Sequence, residues 1–168
     1  MPTVSEFWDG RAQNYDAQVG ASYAKAYEMT ADRFKQYLKP TDTVLDFACG
    51  TGIVTLAVAP AVKSVRAIDV SGEMVHRAQE KTEAQGMENV TVTQTDLFDT
   101  CLAEESFDAV LACNVLLYIK DRRRSFSHRA KASGESPSSL DSPSSRPSAW
   151  RAYCSFSDFS VPVYPMAR

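Results

Sequence analysis

Residues 44–52 read VLDFACGTG, a short apolar run that ends in the glycines Gly50 and Gly52. An apolar run, two glycines and a helical segment in succession are typical of a strand, a tight turn and a helix. Because glycine has no Cβ, a ligand can approach the backbone of such a turn closely. The first turn of the following helix also offers free N–H groups to an anionic ligand. The stretch therefore predicts a ligand-binding turn or, more simply, a tight connection between strand and helix.

Short apolar runs alternate with helical segments on both sides of this stretch. Strands are predicted at residues 44–47, 64–69, 90–95 and 107–112, and helices at 53–62 and after the capping residue Ser71. This alternation predicts an α/β fold with a Rossmann-like, open, doubly wound parallel sheet of about four strands. The fourth strand is expected to form an apolar edge of the sheet. Residues 1–40 are predicted to be a helical cap that ends at Pro40, with a shorter helix at 7–16.

Polar residues follow the predicted strands, at the edge of an open α/β sheet where ligands bind. Asp69 ends the second strand and could accept hydrogen bonds from both hydroxyls of a ribose, or simply cap the next helix. Asp96 could accept from the exocyclic amine of an adenine, between the apolar side chains of Leu97 and Met74. Met74 could equally be an ordinary core residue. These positions predict a site for an adenosine-containing ligand.

The glycine spacing discriminates between two such ligands. The dinucleotide fingerprint is GxGxxG, whereas Ala48, Gly50 and Gly52 give AxGxG. This spacing disfavours NAD, although an NAD-dependent oxidoreductase shares the open sheet and the ribose carboxylate and stays an alternative.

Four segments, VLDFACGTG, VRAIDVSGEM, TDLFD and SFDAVLACNVLLYIKD, occur in this order and spacing. Together they resemble class I S-adenosylmethionine-dependent methyltransferases of the small-molecule type, similar to ubiquinone/menaquinone-biosynthesis methyltransferases. The leading FWDGRAQNYD resembles the helix with which that group starts. The resemblance covers about residues 5–121 and implies S-adenosyl-L-methionine as cofactor.

The resemblance also implies roles for individual residues. Asp46 would receive the ammonium of the cofactor directly or through water, and Asn114 would flank the sulfonium and the substrate entrance. Tyr15 would cover the carboxylate of the cofactor or serve simply as an aromatic anchor of its helix. The implied cofactor-binding residues are Asp46, Ala48, Gly50, Gly52, Asp69, Val70, Met74, Asp96, Leu97, Asn114 and Tyr15. Ala48 stands where the family has its first glycine, and a methyl group is tolerable there where φ is negative. A negative φ is therefore expected at Ala48.

No residue is predicted to act as a catalytic acid or base. Methyl transfer from a sulfonium is a direct displacement that depends mainly on proximity and in-line orientation. His76 lies inside a predicted helix, where a surface or packing role is the simpler interpretation. The four cysteines show no CxxC pair or His at zinc-ligand spacing, so no metal site is predicted.

Charge is distributed unevenly along the chain. Residues 1–121 contain 10 basic and 18 acidic side chains, whereas residues 122–168 contain 8 basic and 3 acidic ones. The acidic part argues against a nucleic-acid partner. Without a long apolar run or a secretory signal, no membrane partner is expected and a cytoplasmic location is predicted. The expected partner is a small-molecule methyl acceptor, residues 41–121 being the cofactor-binding half of the domain.

The segment 122–168 is predicted to be an irregular tail. It holds 13 of the chain's serines against 5 in residues 1–121, and it has no apolar periodicity. We interpret it as a frame-shifted or truncated end of the methyltransferase domain, with a true disordered tail as the alternative. A non-catalytic fragment therefore stays a second alternative to an active enzyme.

Overall fold

The computed structural model describes residues 2–96, 107–115 and 151–155 of the 168-residue chain. The helices are α1 (Val4–Ser22), α2 (Ala24–Lys35), α3 (Ile53–Val58) and α4 (Gly72–Ala84), with a turn of 3₁₀ helix at Ala59–Ala61. The strands are β1 (Thr43–Phe47), β2 (Ser64–Asp69), β3 (Val90–Gln94), β4 (Ala109–Cys113) and β5 (Arg151–Ser155). The first four strands confirm the predicted ones to within two residues at each end.

All strand pairs of the described sheet are parallel, in the order β3-β2-β1-β4-β5. From β1 the chain moves outward through β2 to β3, and it then returns to place β4 on the other side of β1. The strand order thus reverses at β1, which is the switch point where open α/β sheets bind ligands. This confirms the predicted Rossmann-like open sheet and brings the carboxyl ends of β1, β2 and β4 together.

The prediction that β4 forms an edge of the sheet is wrong for the described structure. β5 pairs with β4 over five positions, from Ala109↔Arg151 to Cys113↔Ser155. This pairing gives partners to the backbone N–H and C=O groups that an edge strand leaves unpaired. Residues 151–155 also differ from the irregular structure predicted for the tail, whereas residues 122–150 and 156–168 lie outside the described residues.

Helices α3 and α4 pack on the same face of the sheet. Val44 and Val65, which are register partners, share a core cluster with Val54 and Val58 of α3. Ala67, two residues beyond Val65 on the same face, lies in a cluster with Val75 and Ala78 of α4. Because strand residues alternate between faces, Asp46 lies on the face that these helices cover.

Helices are present in the N-terminal segment, as predicted, but with different bounds. α1 begins with a capping box between Thr3 and Glu6 and is longer than the helix predicted at residues 7–16. α2 ends at Lys35, before the predicted stop at Pro40. It packs on the core through Ala31 and Phe34, each only 2% exposed. None of the helices within residues 2–96 combines the length and the apolar character needed to cross a membrane.

Candidate functional site

The turn after β1 requires glycine at two positions. Gly50 and Gly52 have φ values of +55° and +79°, in the left-handed region that favours glycine. A Cβ on Gly52 would lie 3.1 Å from the Cβ of Ala78, so this residue also permits close packing of α3 against α4. A Cβ on Gly50 would meet nothing within 4 Å. The turn therefore leaves open space directly above its backbone.

The expectation of a negative φ at Ala48 is wrong. Its φ is +55°, the same as that of Gly50. The N–H of Cys49 donates to the carbonyl of Ile68 at 3.0 Å, so the backbone turns at Ala48 while Cys49 stays bonded to β2. An L-residue in this conformation costs about 1–2 kcal/mol. The turn thus carries backbone strain at the position where the family has its first glycine.

Replacing Ala48 by glycine should raise the free energy of unfolding by up to about 1 kcal/mol. Relief of about 1–2 kcal/mol of strain outweighs the extra freedom that glycine gives the unfolded chain, which costs about 0.4–1 kcal/mol. Urea denaturation measures the change. Ala17→Gly, at an exposed position inside α1, is the control and should destabilise by about 1 kcal/mol. Equal losses in both variants would contradict the strain at Ala48.

Asp69 joins the glycine turn to the beginning of α4. Its Oδ2 accepts a hydrogen bond from the N–H of Gly50 at 2.8 Å, and its Oδ1 accepts from the N–H of Ser71 at 2.9 Å. The side chain is buried, and burial raises its pKa although these N–H groups favour the ionised form. Each carboxylate oxygen has a second lone pair, so Asp69 can still accept two hydroxyl groups of a ligand.

Asp46 is the more deeply buried carboxyl group, at 1% exposure. The Thr55 hydroxyl of α3 donates to its Oδ2 at 2.5 Å. Burial raises the pKa of Asp46 to about 7, the neighbouring Asp69 adds to the rise, and the bond from Thr55 opposes it. A buried carboxyl group of this kind is a good partner for a ligand cation, which would restore the ionised form.

Asp46 lines a cavity between the glycine turn and the N-terminal helices. The described residues that line the cavity include no Lys, Arg or His; they are Tyr15, Tyr27, Asp46, Ala48, Cys49, Gly50, Thr51, Ile53, Val54 and Cys113. The hydroxyls of Tyr15 and Tyr27 lie 3.0 Å apart, and Nδ2 of Asn114 donates to the Tyr27 hydroxyl at 3.3 Å. Asn114 follows β4 with a φ of +56°, a conformation that asparagine tolerates. These groups tie α1 and α2 to the end of β4.

Helix α1 lies over the site and is held there by two aspartates. Asp9 accepts from the Ser71 hydroxyl at 2.6 Å and from the N–H of Glu73 at 3.1 Å, at the beginning of α4. The hydrogen bond from Ser71 is the main reason that the pKa of Asp9 is lowered. Asp16 accepts from the Thr51 hydroxyl at 2.5 Å and from Lys81 Nζ at 2.8 Å. Ser71 also caps α4 as predicted, by accepting from the N–H of Met74.

The structure brings together most, but not all, of the predicted site residues. Tyr15, Asp46, Ala48 and Gly50 line one cavity, and Gly50 is bonded to Asp69. The carbonyl of Val70 accepts from Ser5 of α1 and from Gln94. Met74 is 2% exposed in α4, in keeping with its reading as a core residue. Asp96 is exposed two residues after β3, and Leu97 lies outside the described residues.

Sequence reasoning missed several residues that hold the site together. Asp9, Asp16 and Tyr27 contact partners 35 to 87 positions away along the chain, and no local pattern shows which residues those partners are. Thr55 does carry a signal, because it is the one hydroxyl-bearing residue in the apolar helix IVTLAV. A polar side chain on the buried face of such a helix needs a hydrogen-bond partner, and here that partner is Asp46.

Comparisons with known proteins bear on the family of this chain. A family model for a methyltransferase domain matches residues 44–133, more than half of the chain. A demethylmenaquinone methyltransferase from Porphyromonas gingivalis is 39% identical over 72 residues, 40% of this chain and 29% of its own. A 23S rRNA (uracil(1939)-C(5))-methyltransferase from Photobacterium angustum is 36% identical over 78 residues, 44% of this chain and 36% of its own.

A solved structure adds a comparison of the fold. The DhpI–SAH complex matches with a TM-score of 0.60 and 27% identity, over 75% of this chain and 59% of that one. The chain spans well under half the length of the two curated relatives. By its matching domain, its fold and its motifs, the chain belongs to the class I S-adenosylmethionine-dependent methyltransferases.

Proposed function

We propose that this chain binds S-adenosylmethionine at the carboxyl ends of β1 and β2 and transfers its methyl group to a small-molecule acceptor. One observation carries the proposal: two buried carboxyl groups, Asp46 and Asp69, flank a glycine turn on adjacent strands. The described residues that line the Asp46 cavity include no Lys, Arg or His, and Asp69 accepts a hydrogen bond from Gly50 of the same lining. This arrangement favours a cationic, hydroxyl-bearing ligand. S-adenosylmethionine has an ammonium, a sulfonium and a ribose.

The residues present fit this cofactor. Both oxygens of Asp69 are already oriented by backbone N–H groups, and each can accept a ribose hydroxyl. Within residues 2–96 and 107–115, no Lys, Arg or His lines the Asp46 cavity, and the ammonium of the aminoacyl group would supply a cation there. The backbone at Gly50 faces space that a side chain would otherwise fill. These three features suit the ribose, the ammonium and the chain that connects them.

The other predicted residues complete the proposed site. Asp96 and Leu97 would contact the adenine, Val70 would lie beside the ribose, and Tyr15 would cover the aminoacyl carboxylate. Asn114 would stand between the cofactor and the acceptor, at the end of β4. When bound, S-adenosylmethionine supplies a methyl group on an already activated leaving group. The chain's own contribution is then to bind and orient the two reactants.

A small molecule is the acceptor class that we favour. Two observations support it: a relative is named for demethylmenaquinone, and residues 1–121 carry a net charge of −8. Another relative is named for 23S rRNA, but an RNA-binding surface is generally basic. We place the enzyme in the cytoplasm, where the free thiols of Cys49 and Cys113 would stay reduced.

Thermal unfolding tests the cofactor part of the proposal. S-adenosylhomocysteine, the demethylated product, should stabilise the chain by about 2.7 kcal/mol at one hundred times its dissociation constant. NAD should cause no shift, because the glycine spacing lacks its fingerprint. A shift with NAD and none with S-adenosylhomocysteine would instead favour an oxidoreductase.

Transfer of a labelled methyl group tests the acceptor class. The chain is incubated with methyl-tritiated S-adenosylmethionine and a cell extract divided into small-molecule and macromolecular fractions. Label is expected to enter the small-molecule fraction only, and to be lost with Asp69→Ala. Transfer to ribosomal RNA or to protein would contradict the proposed acceptor class.

A further inference from the structure

The contact between Thr55 and Asp46 lies at the base of the proposed cofactor cavity. Thr55 is fully buried in the first turn of α3 and donates its hydroxyl hydrogen to Oδ2 of Asp46. A threonine in a helix commonly donates to the carbonyl four residues earlier. Here the Thr55 hydroxyl of α3 instead donates to a side chain near the end of β1. Oδ1 of Asp46 is the oxygen that this bond does not engage.

The groups around Asp46 include further acids and several neutral side chains. Asp69 on β2 adds to the rise that burial causes in the pKa of Asp46. Asp46 in turn adds to the rise that burial causes in the pKa of the Cys49 thiol, which follows β1. The helices contribute Tyr15 and Tyr27 to the cavity, and β4 contributes Cys113. The strand neighbours of Asp46 in the sheet are Ala67 and Leu111. Burial and Asp69 disfavour the ionised carboxylate, and Thr55 favours it.

We propose that Thr55 is a positioning residue for recognition of the cofactor's ammonium group. By occupying Oδ2, its hydroxyl leaves Oδ1 for the ammonium and lowers the cost of ionising Asp46 in a buried site. Below neutral pH, Asp46 of the free protein is protonated. Binding of the ammonium then stabilises the carboxylate, and the proton of Asp46 is released to solvent. This inference rests on the proposed cofactor. It assigns Thr55 a role in binding that cofactor and couples binding to the release of the Asp46 proton.

Isothermal titration calorimetry with S-adenosylhomocysteine tests the proton. Titrations at pH 6 and pH 8, in pairs of buffers with different ionisation enthalpies, count the protons released on binding. We expect close to one proton released at pH 6, almost none at pH 8, and tighter binding at pH 8. Binding with the same affinity and no proton release at both pH values would overturn the inference, with the cofactor site intact.

Three variants test Thr55 itself. Thr55→Val keeps the shape and removes the hydroxyl, so the affinity at pH 7 should fall about tenfold and the pH dependence should move about one unit upward. Thr55→Ser restores the hydroxyl and should restore both values. Thr82→Val is the matched control, because Thr82 is a buried threonine of α4 whose hydroxyl donates to the Ala78 carbonyl of its own helix. It should leave the affinity unchanged.

A ligand without the ammonium separates this inference from the proposed function. 5′-Methylthioadenosine keeps the ribose and adenine but lacks the aminoacyl group, so it should bind wild type and Thr55→Val equally and without proton release. If neither ligand binds the wild type, the proposed function fails. If both bind and Thr55→Val matches wild type for both at every pH, only the role of Thr55 fails. Should Thr55→Val not fold, Thr55→Ala, which also lacks the hydroxyl, is measured in its place.

Discussion

Asp69→Ala is expected to lower the affinity for S-adenosylhomocysteine at least 100-fold. The substitution removes the acceptor of two ribose hydroxyls, and each hydrogen bond to a charged group is worth about 1.5–3 kcal/mol. It also removes the carboxylate that orients the N–H groups of Gly50 and Ser71. Calorimetry on protein whose folding is checked by circular dichroism measures the loss.

Asp108→Ala is the matched control for this result. Asp108 also accepts two hydrogen bonds, from the N–H and the hydroxyl of Thr43, both at 2.8 Å. These bonds lie at the amino end of β1, away from the proposed site. The control should lose stability by about 1–3 kcal/mol and keep its affinity. Affinities within threefold of wild type in Asp69→Ala would count against the ribose assignment.

Asp46→Asn is expected to stabilise the protein at pH 8 while removing most of its affinity for S-adenosylhomocysteine. Because folding raises the pKa of Asp46 from about 3.8 to about 7, the folded state holds a proton that the unfolded state has lost between these values. The contribution of Asp46 to wild-type stability is therefore greatest below pH 4 and falls by up to about 1.4 kcal/mol per pH unit until about pH 7. Asparagine has no charge to bury and escapes this loss.

Urea denaturation between pH 4 and pH 8 measures the predicted divergence. The two proteins should be about equally stable at pH 4, and the variant should be more stable by up to about 4 kcal/mol at pH 8. Calorimetry at pH 8 should show the lost affinity. A variant that is less stable than wild type at pH 8, or that binds equally well, would contradict the assigned role of Asp46.

The parts of the fold that the sequence predicts are those written in local patterns. Each of the strands β1 to β4 corresponds to a short run of consecutive residues, and the glycines follow β1 directly in the chain. The structure confirms these four strands and the turn after β1. The conformation of Ala48 depends instead on a bond between Cys49 and Ile68 of another strand. The pairing of β4 with β5 likewise joins residues about 40 positions apart.

The site shows the same division between local and distant contacts. Asp69 could be predicted because it ends its strand, and Asp46 because it lies in the VLDFACGTG segment that carries the family resemblance. The attachment of α1 could not, because Asp9 meets Ser71 62 positions away and Asp16 meets Lys81 65 positions away. Thr55 is predictable only in part. Its hydroxyl stands out in an apolar helix, but only the fold shows that Asp46 accepts from it.

Titration of S-adenosylhomocysteine into the wild-type chain at pH 8, followed by calorimetry, tests the central claim most directly. The two carboxyl groups around the glycine turn predict saturable binding at one site per chain, lost in Asp69→Ala and retained in Asp108→Ala. Absence of saturable heat from folded wild-type protein, or undiminished binding in Asp69→Ala, would contradict the claim that this is the cofactor site.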